Sequence, residues 1–201
     1  MVGTSSNSRV LPIAVLVIGV AQAILVALAL SRILDPGWTT FGPVGVLAGL
    51  GMAALALVAL LDLRWRSHGH RRVAWLGVVA GLSIGATWAS LLGGTFYTND
   101  LVRIAIVVAS DCAFAIALVG ATRWTDERTA LPGIDIVATF MSARAVIEIL
   151  LICLVLTQEG RGSGPNIPVV ALAISVLVGW VVLAVWEVVV GAQLLRARSR
   201  R

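Results

Sequence analysis

The chain has 201 residues, of which 59% are hydrophobic and 12% charged, and its mean hydropathy is +1.00. A soluble domain is roughly 45–50% apolar and about 25% charged, so this chain has too few charges to cover a water-soluble globule. The same composition excludes a disordered chain and a disulfide scaffold. The net charge is +5 and every basic residue is arginine. Because these arginines lie in short loops beside apolar runs, they indicate membrane orientation rather than nucleic-acid binding.

Six apolar stretches are long enough to cross a membrane, since about 20 helical residues span the ~30 Å hydrocarbon core. In chain order they are 10–30, 43–61, 73–93, 101–121, 134–156 and 168–195. The connectors between them are short and rich in glycine and proline, which is typical of turns. The sequence therefore predicts an all-α fold, a single transmembrane domain of six helices over residues 1–201.

The arginines predict the orientation of this bundle. Both tails and the second and fourth connectors hold 11 arginines, whereas the opposite side holds 3, two of them in connectors and Arg103 at the start of the fourth span. The positive-inside rule then predicts a multi-pass protein of the cell (inner) membrane with both termini cytoplasmic. The first span is expected to be an uncleaved anchor rather than a signal peptide, because its apolar stretch is too long for one. The densest basic run, with Arg64, Arg66, Arg71 and Arg72, either only fixes this orientation or also contacts lipid headgroups.

The third span carries glycines at four-residue spacing, including Gly77, Gly81 and Gly85. Residues four apart lie on one face of a helix, and small residues allow helix backbones to approach closely in lipid. The spacing predicts a helix-packing ridge. Its neighbour is either another helix of this chain or a partner, namely a second copy or another membrane protein.

Three charged residues fall at the middle of predicted spans. Asp111 is central in the fourth span, and Arg144 and Glu148 lie one turn apart in the fifth. Charges at this depth must face protein or water. Counting from the helix ends gives all three a similar depth, which predicts an Asp111–Arg144–Glu148 cluster. Its role is either a structural lock between two helices or a proton or ion relay.

Two further polar residues have ordinary explanations. Gln22 is expected to form a hydrogen bond across the bundle. Glu187 is expected to lie near the cytoplasmic end, where its side chain either snorkels or pairs with an arginine of the tail.

The sequence points away from catalysis and cofactors. It holds no His-Glu-x-x-His, no Cys-x-x-Cys and no lysine for a retinal Schiff base, and both histidines, His68 and His70, fall in a predicted loop. No enzyme activity, cofactor or metal is expected. Two functions remain. One is a small transporter or channel-like protein centred on the charged cluster. The other is a non-catalytic subunit or assembly factor of a larger cell-envelope complex, docking through the third helix.

Overall fold

The computed structural model describes residues 7–31, 41–62, 68–92, 100–124, 133–158 and 167–199. These residues form the helices α1 (Asn7–Ser31), α2 (Phe41–Asp62), α3 (His68–Leu92), α4 (Asp100–Trp124), α5 (Ile134–Gln158) and α6 (Ile167–Ser199). Five of them are long and apolar enough to cross a membrane, and the apolar stretch of α2, Gly42–Val58, is shorter. The predicted all-α membrane bundle is confirmed.

The helices pack in a closed ring. Each helix contacts the next one along the chain, and α6 returns to contact both α1 and α2. Leu16 of α1 lies beside Gly191, and Gln22 binds the backbone of Trp180, so α1 and α6 are antiparallel. The N-terminal end of α1 and the C-terminal end of α6 therefore share one end of the bundle, which we call the terminal end.

Small residues bring α2 and α3 into backbone contact. A Cβ added to Gly81 would lie 2.5 Å from the amide nitrogen of Ala53 and 2.6 Å from the carbonyl oxygen of Gly49. Gly77 meets α2 and α4 together, whereas a Cβ at Gly85 would have ordinary contacts at 3.6 Å or more. The predicted ridge is therefore used inside the chain, where it sets the spacing of α2 and α3.

Most helices are longer than their apolar spans. α3 begins at His68, five residues before the predicted span, so the expectation that no helix carries a histidine was wrong. The reason is physical: hydropathy follows apolar side chains, whereas helical hydrogen bonds continue into the polar headgroup region. Arg72 is exposed in this first part of α3. Arg64 and Arg66 lie outside the described residues, as does the side chain of Arg71, so headgroup contact stays a prediction.

The outside of the bundle is as apolar as its core. Large side chains such as Val17, Val79 and Ile136 are more than half exposed, which is ordinary for a surface that faces lipid. The buried core includes Met52, Phe114 and other apolar side chains of all six helices. The unusual buried residues are polar: they are Gln22, Ser110, Asp111, Arg144, Glu148 and Glu187.

Candidate functional site

Arg144 joins α4 and α5 through two ion pairs. Its Nη2 lies 2.7 Å from Oδ2 of Asp111, and its Nε lies 2.7 Å from Oε1 of Glu148. The side chains of Asp111 and Arg144 are 3% exposed and that of Glu148 is fully buried. Both helices place these residues near their midpoints, because the i, i+4 spacing puts Arg144 and Glu148 on one face and the antiparallel connection brings Asp111 to the same level. The structure thus brings together the three residues that the sequence predicted to meet.

α6 completes the wall of this cluster with two residues that the sequence analysis missed. Ser175 donates a hydrogen bond of 3.3 Å from Oγ to Oε1 of Glu148. Gly179, one turn further along, lies flat against the guanidinium, and a Cβ there would overlap Nη1 of Arg144. Their four-residue spacing, which puts both on one face of α6, was the available signal. A small hydroxyl and a glycine make room for charge that larger side chains would exclude.

The cluster has more acid than base. Arg144 is one cation between two carboxyl groups, so the site carries a formal charge of −1 when both acids are ionised. Its third nitrogen, Nη1, reaches only the sulfur of Met141, at 3.8 Å. Oε2 of Glu148 is buried without a hydrogen-bond partner among the described residues. One proton would neutralise the site, and this oxygen is an unoccupied place for it.

An apolar cavity approaches the cluster from the terminal end but does not reach it. Its lining includes Leu55, Gly77, Phe114 and Trp186, and none of the three charged residues. Phe114 lies one turn from Asp111 on α4, and its side chain is 2% exposed. Of the α4 residues that line the cavity, Phe114 is therefore the one nearest to Asp111 along the helix.

Glu187 corrects a prediction. The sequence placed it near the cytoplasmic end, in reach of a tail arginine, but it is fully buried and both its carboxylate oxygens lack a hydrogen-bond partner in the described part of the chain. The predicted position was wrong because the apolar stretch 168–195 is longer than a membrane span needs, and α6 is the longest helix at 33 residues. Measured against α1 instead, Glu187 lies beside Gly19, the middle residue of that helix.

Gln22 forms the predicted link across the bundle. Its Nε2 donates a hydrogen bond of 3.0 Å to the backbone carbonyl of Trp180. The indole of Trp180 meets that of Trp88 edge to face, with ring centroids 5.0 Å apart. Gly45 makes room for Trp88, since a Cβ there would overlap the indole. These packing contacts join α1, α2, α3 and α6.

Residues 81–85, Gly-Leu-Ser-Ile-Gly, match the Gly-x-Ser-x-Gly pattern of hydrolase nucleophiles, which the sequence analysis overlooked. That chemistry needs the serine on a sharp strand-to-helix turn with a histidine nearby. Here the segment lies inside α3, and Gly81 packs against the backbone of α2. Both histidines of the chain lie in the first turn of the same helix, roughly 20 Å away along its axis. The match does not form a nucleophile site.

Comparison with protein-family models, with curated proteins and with solved structures finds no match for this chain. The geometry alone therefore defines its class, a helical membrane bundle with a buried Asp–Arg–Glu cluster. Among the described residues, no group of three or more His, Cys, Asp or Glu side chains is arranged to hold a metal ion. Cys112 and Cys153 are free thiols.

Proposed function

We propose that this chain is a small multi-pass transporter or channel-like protein of the cell membrane, without enzymatic activity, whose polar centre is Asp111, Arg144 and Glu148. The observation that carries the proposal is the unequal charge of the buried cluster. A lock between α4 and α5 needs one acid for one base. The second acid, with Oε2 of Glu148 unpartnered among the described residues, adds a place for a proton or cation that a lock does not need.

The geometry of the cluster supports a charge relay. When a proton binds one carboxyl group, that acid loses its attraction for the guanidinium, and the ion pairs of Arg144 shift toward the other acid. α6 senses the change because Ser175 binds Glu148 and Gly179 rests on the guanidinium. Charge at the cluster is thus coupled to the position of a helix, which is the requirement for a gated pathway.

The apolar cavity supplies the approach from one side. The cavity and the cluster are separate in this conformation, since the lining of the cavity includes Phe114 but none of the three charged residues. Passage requires Phe114 to turn aside, or α6 to move away from α5. Charged side chains that are at most 3% exposed fit a protein that alternates between conformations better than a permanently open pore.

The competing proposal, a subunit or assembly factor that docks through α3, loses its main support. Its docking surface was the ridge of Gly77, Gly81 and Gly85, and that ridge is occupied by helices of this chain. A partner on α3 would need the opposite face, where Trp75 and Val79 are exposed. Such apolar faces occur on every lipid-facing helix and favour no partner.

Proton flux into vesicles tests the proposal. The full chain is reconstituted in liposomes that enclose a pH-sensitive dye, and a pH gradient with a potassium diffusion potential is applied. We expect flux above that of protein-free vesicles, and its loss in Asp111→Asn. The matched control is Asp135→Asn, which removes the same charge from an exposed position at the start of α5 and should leave flux unchanged.

Each outcome bears on one proposal. Equal flux in wild-type protein and Asp111→Asn, with equal amounts of folded protein, would overturn the role of the cluster. Absence of flux together with a stoichiometric membrane protein partner on purification would favour the subunit alternative. Loss of flux in both Asp111→Asn and Asp135→Asn would show that flux depends on negative charge in general, and it would overturn the specific role of the cluster.

A further inference from the structure

A third acidic side chain is buried away from the cluster, where α6 packs against α1 and α2. Glu187 is fully buried, and neither of its carboxylate oxygens has a hydrogen-bond partner among the described residues. The Asp111–Arg144–Glu148 cluster, by contrast, lies among α4, α5 and α6. Glu187 is therefore a separate site with a different set of neighbouring helices.

Two glycines form the slot that holds this carboxyl group. A Cβ added to Gly51 would overlap Oε1 of Glu187, and its three nearest atoms would all belong to that carboxyl. A Cβ added to Gly19 would lie 2.8 Å from Cβ of Glu187. Both glycines lie at the middle of their helices, α1 and α2. The carboxyl group thus occupies a space at mid-bundle that any larger residue at Gly51 would fill.

No described charge faces Glu187 from the helices around it. On α1 the one polar side chain described is Gln22, which binds the backbone of Trp180, and the described side chains of α2 are all apolar. On α6 the nearest cation is Arg196, exposed and nine residues on. On α5, Arg144 meets α6 about two turns away, roughly 12 Å along the axis, and it is already bound to two acids.

These surroundings select the ligand. An ionised carboxylate without a partner is very costly in an apolar interior, whereas the neutral acid is much less so. A metal ion would require several oxygen ligands, and the described residues hold no such group. We propose that Glu187 is a proton-binding site at the α1–α2–α6 junction. Proton binding there stands independently of transport.

Glu187 would have a use in transport, and this role rests on the proposed function. α6 contacts both sites, through Ser175 and Gly179 at the cluster and through Glu187 at the junction. Release of the proton creates a charge that the slot cannot pair, so it favours separation of α6 from α1 and α2. A proton gradient would thereby bias the same helix that closes the charged cluster.

Infrared spectroscopy of the purified full chain at neutral pH tests the proton directly. A protonated carboxylic acid gives a carbonyl stretching band well separated from the amide and carboxylate bands. We expect this band in the wild-type protein, its loss in Glu187→Gln, and its retention in Asp135→Asn. Glu187→Asp keeps the acid in a shorter side chain, so it should shift the band rather than remove it; this variant serves if the glutamine variant fails to fold.

The results separate this proposal from the transport proposal. Absence of the band in the wild-type protein would overturn proton binding, and so would an undiminished band in Glu187→Gln. A band that disappears in Asp111→Asn or Glu148→Gln but not in Glu187→Gln would place the proton in the cluster instead. Vesicles without flux but with an intact Glu187 band would refute transport and leave the proton site standing.

Discussion

Gly179 of α6 lies against the guanidinium of Arg144 so closely that a single methyl group at position 179 would overlap Nη1. The three atoms nearest to such a methyl all belong to the guanidinium group. Because Asp111 and Glu148 hold that group from two directions, it cannot swing away without breaking an ion pair. This contact fixes how closely α6 can approach the cluster.

We therefore expect Gly179→Ala to lower the free energy of unfolding by about 1–3 kcal/mol, the usual cost of overpacking. Thermal unfolding of the purified protein in detergent measures it. Repeating the substitution in an Arg144→Met background should reduce the effect, since a flexible thioether yields to the methyl. An equal loss in both backgrounds would show that the guanidinium is not what the methyl strikes.

The unequal charge of the cluster predicts an unequal response to neutral substitutions. Arg144→Met leaves two buried acids without their cation and should destabilise the fold by about 3–5 kcal/mol. Glu148→Gln leaves one acid paired with one base and should cost under about 1 kcal/mol. Equilibrium unfolding in a mixed detergent–denaturant series can rank the two. Similar losses for both variants would mean that both acids are needed to hold the arginine.

The sequence was sufficient to predict the helices and the charged cluster. The positions of the helices follow from apolar runs because the membrane fixes the minimum span that each helix must cross. Asp111, Arg144 and Glu148 could be matched because α4 and α5 are consecutive and antiparallel, so counting from the outer ends of the two spans aligns the residues. Their charges also leave few other arrangements at that depth.

Contacts between helices distant in the chain could not be derived in this way. Glu187 meets Gly19 and Gly51, and no loop length fixes the height of α6 against α1 or α2. Because α6 is longer than a membrane span needs, a position within the stretch 168–195 did not give its depth in the bundle. Ser175 and Gly179 were missed for another reason: α5 and α6 are consecutive, but the sequence did not show which face α6 turns toward α5.

The slot around Glu187 predicts a compensating pair of substitutions. Gly51→Ala puts a methyl group onto the carboxyl of Glu187 and should cost about 1–3 kcal/mol of unfolding free energy. Glu187→Ala removes the group that is struck, so the double variant should be more stable than the sum of the two single losses predicts. A double-mutant cycle on unfolding free energies measures this coupling. Strict additivity would show that other atoms limit the space at Gly51.

Gln22 offers a test of how much one hydrogen bond contributes to this bundle. Its Nε2 bonds the carbonyl of Trp180, but its Oε1 is buried without a partner among the described residues. The gain and the desolvation cost then nearly offset each other, and hydrogen bonds between membrane helices average only about 0.6 kcal/mol. We expect Gln22→Leu to change the free energy of unfolding by less than about 1 kcal/mol. A loss above 2 kcal/mol would assign Gln22 a larger part in holding α1 to α6.

Two glycines on the same ridge of α3 should respond oppositely to alanine. At Gly81 the added Cβ would lie 2.5 Å from the backbone nitrogen of Ala53 and 2.6 Å from the carbonyl of Gly49. Backbone atoms cannot rotate aside, so α2 and α3 must separate along their whole contact. At Gly85, one turn away, the nearest atom would be 3.6 Å from the new Cβ, an ordinary contact.

We expect Gly81→Ala to reduce the yield of folded protein sharply and to lower its unfolding temperature by several degrees, as an overpacking cost of about 1–3 kcal/mol implies. Gly85→Ala should leave both unchanged or raise stability by up to about 1 kcal/mol, because alanine is the better helix former. Gel-filtration yield and thermal unfolding in one detergent allow the two variants to be compared directly. If Gly85→Ala is as damaging as Gly81→Ala, the close contact between α2 and α3 is not centred at Gly81. The glycine ridge of α3 would then pack against a surface other than the one in this structure.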